Sequence, residues 1–352
     1  MAQGRHIVVV GGLAAGMSAA GRARRLDPSA RITILESSDR ISYGICGLPY
    51  LISGEISEAE ALIFHTPESL KQERDIEARL CHRVTAIQPV RRRIEYEYDG
   101  ARELLDYDSL ILATGAKAAM PIAAPERAGG VFALRGLDNA LLIKNWISGR
   151  QTKTAVVIGG GILGLEMDDV LSRLGIGVGI VERSERIAPG FVPEIANAVG
   201  EHLRKHNIGI YPNRRIDGVE LDPENRVIAA SGVEEEIPCD MVVVTAGVRP
   251  NTRLAAEAGL QLDRFGAIVV DERMETSRPG IFAAGDCIAV PHVVSGKPYY
   301  APTATVAVKC GRAAGSNAAG HYEAFPGALG TQAISLLGLE LGRTGLSSAE
   351  AA

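Results

Sequence analysis

The amino-acid sequence predicts an α/β protein organised around two parallel sheets, and three observations carry that prediction. A unit made of an apolar strand, a glycine-rich turn, a helix and a second strand ending in glutamate occurs twice, over residues 7–36 and 155–182. The chain holds 40 glycines with neither a collagen period nor a low-complexity run, which points to tight strand-to-helix turns. At 352 residues it exceeds the usual span of one core, so two or three domains are expected.

In the first unit, strand residues 7–10 lead into Gly11-Gly12-Leu13-Ala14-Ala15-Gly16 and a helix running to Leu26, stopped before Pro28. Strand residues 32–35 and Glu36 follow. In the second, residues 155–158 lead into Gly159-Gly160-Gly161-Ile162-Leu163-Gly164, a helix stopped at Gly175, then residues 178–181 and Glu182. In such a turn the first glycine permits the bend, the next lets backbone approach a pyrophosphate, and the last lets helix pack on strand. The phosphates then meet unpaired N–H groups at the helix N-terminus, while the terminal glutamate accepts from ribose hydroxyls. Leu13 stands where the first copy's second pattern glycine belongs, so Gly12 has to supply the close approach.

Two further segments fit this plan. Residues 110–115 read Leu-Ile-Leu-Ala-Thr-Gly, a strand ending in small residues where chain passes close to a cofactor. Residues 280–284 form an apolar strand followed by Gly285-Asp286 and by a helix predicted from Pro302 to Ala319. Asp286 is either a turn former or, beside a flavin, an acceptor for ribityl hydroxyls, with the later helix aiming its positive end at the ring.

Composition excludes several classes. The formal charge of −5, with lysine and arginine scattered, gives no footprint for nucleic acid. Apolar runs stop well short of the ~20 residues a membrane span needs. Strand-like sequence begins at His6, leaving no room for a signal peptide, so a soluble cytoplasmic protein is expected. The five cysteines lack the paired spacings of zinc sites, so no metal is expected and a disulfide scaffold is improbable. One special thiol remains open.

That thiol is Cys46. The run Ser42-Tyr43-Gly44-Ile45-Cys46-Gly47-Leu48-Pro49-Tyr50, taken with the two glycine turns, Ala113-Thr114-Gly115 and Gly285-Asp286, resembles the two-dinucleotide-fold flavoprotein disulfide reductases over residues 5–345. It is similar to their single-cysteine branch, which includes coenzyme A-disulfide reductase, NADH-dependent persulfide reductase, NADH oxidase and NADH peroxidase. The resemblance implies two Rossmann-like domains, with the NAD(P)H domain (117–250) inserted in a discontinuous FAD domain (1–116 and 251–320). An α+β interface domain would open at 321–352 and be cut short there. It also implies a homodimer, and the short third domain argues against one for this chain.

Carried over by position, the FAD ligands are Gly11, Gly12, Ala14, Ala15, Gly16, Glu36, Val84, Ala113, Thr114, Gly115, Arg135 and Asp286. Those for NAD(P)H are Gly159, Gly161, Leu163, Gly164, Glu182 and Gly247. NADH is expected over NADPH because Glu182 repels a 2′-phosphate, although Arg183 and Arg186 soften that preference. Cys46 precedes a helix with Pro49 in its first turn, whose N-terminus favours thiolate. The other four cysteines are expected to be buried and apolar. No second cysteine stands five residues away, since Ile41 and Leu51 fill those positions. The partner is then a small thiol or the oxygen of a sulfenic acid.

Oxidase and peroxidase members place a histidine where Ala14 stands, so the implied activity is reduction of coenzyme A disulfide, its persulfide or a related small disulfide. NADH oxidase or peroxidase chemistry and a non-catalytic flavin-binding module are the alternatives. Ser18, Arg22, Arg25, Ser42 and Arg74 match coenzyme A contacts, and three arginines suit a phosphate-rich ligand. Ile45 departs from the polar residue often found there. The strands at 333–337 and 339–344 resemble the opening of the interface domain, normally roughly another hundred residues long. A hairpin of that size has to lie on the FAD domain, pair with another chain or stay disordered. The expectation is a chain that binds FAD and accepts hydride but turns over disulfide poorly.

Overall fold

The computed structural model describes residues 4–125, 127–233 and 236–346. Contacts divide the chain into two compact units: Met1–Gly44, Leu62–Lys117 and Arg249–Leu329 form one, and Ile45–Ala61, Ala118–Val248 and Gly330–Ala352 the other.

The first unit is built on a five-stranded sheet in the order Ile281–Ala283, Ser109–Leu112, His6–Val10, Arg31–Leu35, Glu77–Arg79. Every pairing in it is parallel. Ile7, Val8 and Val9 are fully buried, as are Leu110, Ile111 and Leu112. Such continuous apolar runs belong to strands covered on both faces. The helix Ala14–Leu26 turns Ala15, Ala19, Ala20 and Ala23 inward. Against it packs the helix Ala304–Ala318, two residues shorter at its start than the sequence predicts. The seam between them is made of small residues. A Cβ on Gly311 would lie 2.4 Å from the Ala15 carbonyl oxygen, and one on Gly315 2.2 Å from that of Ala19. A smaller antiparallel sheet, Arg83–Gln88, Arg93–Tyr98 and Ala101–Asp106, completes the unit.

The second unit repeats the plan. Its sheet runs Gly209–Pro212, Gly177–Glu182, Thr154–Ile158, Met241–Val244, Val131–Ala133, again all parallel. The helix Ile162–Arg173 occupies the place that Ala14–Leu26 holds in the first unit. One residue breaks its apolar face. Asp168 is completely buried, and among the described residues neither carboxylate oxygen has a hydrogen-bond partner. Burial therefore pushes its carboxyl well above the ordinary aspartate range.

The predicted hairpin forms between Gln332–Leu336 and Leu339–Arg343. Its seat differs from the three that the sequence reading allows, because it lies on the second unit against helix Ile162–Arg173. Leu336 is fully buried, the Leu337 N–H donates to Asp169 Oδ1 at 3.0 Å, and Arg343 Nη1 donates to the Gly190 carbonyl at 2.5 Å. Backbone and side-chain anchors missing from an isolated hairpin are thus supplied by helix and loop. Among the described residues no helix is long and apolar enough to cross a membrane.

Candidate functional site

Each unit carries its candidate site at the carboxyl ends of the central strands, where open parallel sheets bind ligands. In the first, the strand His6–Val10 ends at Gly11, whose φ of +106° is in the left-handed region. Gly16, in the first turn of the helix, packs so tightly that a Cβ would stand 1.9 Å from the Gly11 carbonyl oxygen. The Gly12 N–H donates to Glu36 Oε2 at 2.8 Å, and the Ser38 N–H donates to Oε1 at 2.9 Å. The strand-end acid therefore latches the turn. It is buried, and among these bonds Oε2 takes one donor, which leaves room for a ribose hydroxyl.

The second unit matches this residue for residue. Gly159 has φ +113°, a Cβ on Gly164 would stand 1.9 Å from the Gly159 carbonyl oxygen, and the Gly160 and Ser184 N–H groups donate to Glu182 Oε2 and Oε1, each at 2.8 Å. The match continues past the acid. Ser42 and Ala188 both adopt φ near +55°, at 56° and 54°, and donate their N–H to the Gly12 and Gly160 carbonyls at 2.9 and 2.8 Å. Ile41 and Ile187 lie over Gly12 and Gly160. Sequence reasoning stopped at the glutamates. The signal for the rest was present as Glu-Ser-Ser-Asp-Arg-Ile-Ser at 36–42 against Glu-Arg-Ser-Glu-Arg-Ile-Ala at 182–188.

Among the described residues no side chain caps either helix, Ala14–Leu26 or Ile162–Arg173, and neither first turn holds an acid. The first-turn N–H groups at Ala14, Ala15 and Gly16, and at Leu163 and Gly164, therefore suit a phosphate. A Cβ on Gly161 would meet nothing within 4 Å, so the second turn has the open backbone that a pyrophosphate needs. Leu13 stands at that position of the first turn as its N-cap, which leaves the approach to Gly12. Both turns fit a dinucleotide.

The remaining residues gather in part. Thr114 Oγ1 donates to the Asn251 carbonyl at 2.7 Å, and Asn251 returns bonds to Thr114 and Gly115, fixing Ala113–Thr114–Gly115 beside the first turn. Gly285 approaches Ala15, which brings Asp286 to the start of the same helix, and Tyr300 Oη donates to the Asp286 carbonyl. Val84 is half-buried, and nearby His82 donates its N–H to the Glu36 carbonyl at 2.9 Å. In the second unit Gly247 is exposed with open space around it, and Arg135 follows the strand Val131–Ala133, half-buried.

Cys46 lies in a single turn, Ile45–Gly47, leading directly into the helix Leu48–Ser53, with Pro49 near its start as the sequence predicts. This helix packs on Leu137–Arg150 and Ile162–Arg173, and Leu48 and Leu51 are buried. Cys46 itself is exposed. Burial pushes Cys239 and Cys310 up to about 12 and Cys287 to about 11, so these three are inert as nucleophiles. Cys81 departs from expectation. It is exposed, in a left-handed turn with φ +58°, and its N–H donates to the Ser38 carbonyl at 2.9 Å.

The five residues matched to coenzyme A divide into groups. Arg25 and Arg74 converge, their Nη1 atoms lying 3.7 and 3.5 Å from the point where a Gly21 Cβ would stand. Arg74 also bonds His65 at 3.1 Å. Arg22 is committed elsewhere, pairing with Glu323 at 2.8 Å and with Ser316 at 2.9 Å. Ser18 is half-buried on the helix Ala14–Leu26, and Ser42 is buried at the strained position described above. Among the described residues no three His, Cys, Asp or Glu side chains are placed to hold a metal ion.

A family model described as pyridine nucleotide-disulphide oxidoreductase matches residues 5–311. The chain belongs to this family. It is 32% identical over 350 residues to the NAD(P)H coenzyme A polysulfide/persulfide reductase of Pyrococcus horikoshii, covering 99% of this chain and 77% of that protein. It is 32% identical over 343 residues to an NADH oxidase of Methanocaldococcus jannaschii, covering 97% and 76%. The solved structure of a NAD-dependent persulfide reductase from A. fulgidus superposes with a TM-score of 0.94 at 34% identity, covering 98% of this chain and 65% of that one. The chain thus spans less than two thirds of that solved structure.

Proposed function

We propose that this oxidoreductase binds FAD on the first glycine turn and NADH on the second, and reduces coenzyme A persulfide, coenzyme A disulfide or a similar small disulfide through Cys46. The observation that carries the reading is the exposed Cys46 at the head of a helix, in a chain whose two glycine turns are latched identically by Glu36 and Glu182. The similarity to proteins named for coenzyme A persulfide and NAD-dependent persulfide reduction supports the substrate class. The same reading makes it a cytoplasmic enzyme of small-molecule thiols.

FAD, when bound, supplies a two-electron relay between nicotinamide and sulfur. The chain's own residues hold and orient. Glu36 accepts from one adenosine ribose and Glu182 from the other, while Asp286 offers a carboxylate to the ribityl hydroxyls. As thiolate, Cys46 attacks one sulfur of the disulfide, forming a mixed disulfide and releasing the other half as thiolate. Two electrons from the nicotinamide nucleotide, with a proton, return Cys46 to its starting state and free the second thiol. Arg25 and Arg74 are assigned to the phosphate-rich end of coenzyme A. Arg22 joins them only if its ion pair with Glu323 opens.

The test is steady-state NADH oxidation by the purified flavoprotein with coenzyme A disulfide, beside the Cys46→Ser variant. The variant is expected to keep its flavin and its bleaching by NADH and to lose disulfide turnover to background. Full turnover without the thiol would overturn the mechanism. NADH oxidase activity is the second reading, favoured by the similarity to the archaeal oxidase, and oxygen consumption that exceeds disulfide reduction would select it.

A further inference from the structure

The loop after Glu182 carries Arg183, Glu185 and Arg186, and a cation there is what a 2′-phosphate on the adenosine ribose would need. Arg186 is held close to the turn, because its neighbour Ile187 is buried on Gly160 and Ala188 donates its N–H to the Gly160 carbonyl. Its guanidinium is already paired. Nη2 and Nη1 donate to Glu185 Oε1 and Oε2 at 3.0 and 3.1 Å, a two-pronged fork between adjacent residues. The first unit has the same arrangement in the same register, with Arg40 Nη1 on Asp39 Oδ1 at 2.9 Å, four residues after its own strand-end acid. FAD has no phosphate on its adenosine ribose hydroxyls, so in that half nothing calls for an uncommitted guanidinium.

We infer that Glu185 is a specificity-determining residue of the nicotinamide nucleotide site, acting by occupying Arg186 and so withholding it from a 2′-phosphate. The inference rests on the reading that residues 159–164 hold the nicotinamide nucleotide. Glu182 and Glu185 together offset Arg183 and Arg186, so the loop is neutral. Replacing Glu185 by glutamine gives it a net positive charge and opens the planar fork of Arg186, which suits a phosphate bidentately. The pair is partly exposed, with relative side-chain accessibilities of 38% for Arg186 and 70% for Glu185, so the withholding is a modest effect.

The experiment compares wild type, Glu185→Gln and Glu185→Gln/Arg186→Gln, each as purified flavoprotein. Calorimetry gives the affinities for adenosine 2′,5′-bisphosphate and adenosine 5′-monophosphate, and kinetics gives kcat and KM for NADPH and NADH. In Glu185→Gln the bisphosphate should bind about two- to fivefold tighter, and the KM for NADPH should fall by a similar factor. The monophosphate affinity, the NADH constants and the kcat for NADPH should hold. The double variant should lose the gain. Unchanged bisphosphate affinity in Glu185→Gln, with monophosphate binding intact, would overturn the role of Glu185 alone. Failure of wild type to bind either nucleotide or to oxidise NADH would overturn the reading of the turn itself, and this inference with it.

Discussion

Replacing Asp168 with alanine is expected to stabilise the protein, by an amount that grows with pH. The wild-type carboxyl is sealed in the second unit with both oxygens unpartnered among the described residues, and leaving a buried polar group unsatisfied costs about 1–3 kcal/mol. Removing it leaves a void of roughly 30 Å³, worth about 0.7 kcal/mol at ~24 cal/mol per Å³. The balance is a gain of about 0.5–2 kcal/mol, or about 2–6 °C in the melting temperature of a unit this size.

Burial raises the folded-state pKa of Asp168 above its unfolded value. Its contribution to stability is therefore complete below the unfolded pKa of about 3.9 and is lost as pH rises toward the folded value. Over that window the slope reaches up to about 1.4 kcal/mol per pH unit. Urea unfolding at pH 5 and pH 8 measures the difference between variant and wild type. Asp168→Asn separates the two causes, because it keeps a buried polar group but cannot titrate. Its stability relative to Asp168→Ala should not change with pH. An alanine variant less stable than wild type at pH 8, or a gain of the same size at both pH values, would refute the reasoning.

Two more predictions concern the turns. Gly164→Ala should lose NADH binding and destabilise the second unit, since its Cβ meets the Gly159 carbonyl at 1.9 Å, whereas Gly161→Ala should leave stability within about 0.5 kcal/mol. Equal melting temperatures for the two variants would show that the helix can shift to admit a methyl. Glu36→Ala should release the Gly12 and Ser38 N–H groups and weaken FAD retention, whereas Glu36→Gln, which still offers an acceptor, should retain FAD better, as read by flavin absorbance after gel filtration. Indistinguishable retention in the two variants would show that the latch is not what matters.

Much of the fold was legible because the same local logic is written twice. The strand, turn and helix at each copy require apolar runs, glycines at fixed offsets and a terminal acid, all one-dimensional signals. The order of strands within each sheet is set instead by pairings between distant segments, such as Ser109–Leu112 beside His6–Val10, which no local signal gives. What escaped was set by partners distant in sequence. Cys81 is expected from the sequence to be an ordinary buried thiol, yet it stands exposed in a turn whose N–H bonds Ser38, more than forty residues earlier. Arg22 matches a coenzyme A contact through the family resemblance, but Glu323, some three hundred residues later, pairs with it. The seat of the hairpin depends on Asp169 and Gly190, neither of which advertises that role. Asp168 is a local contradiction, a charge type at an apolar position, and it could have been flagged from the helical period alone.

The small-residue seam between helices Ala14–Leu26 and Ala304–Ala318 has a consequence for how the chain comes off the ribosome. The first helix emerges early, yet the helix that covers its small-residue face, nearly three hundred residues later, has still to be synthesised. At roughly 5–20 residues per second that is an interval of tens of seconds. The edge strand Ile281–Ala283 arrives on the same late schedule. During that wait the sheet of the inserted segment, residues 131–244, already has all five of its strands. The nascent chain therefore carries a nearly finished second unit alongside an amino-terminal unit whose alanine-rich helix face is still bare. That face, rather than the segment around Cys46, is where a holding chaperone has most to protect.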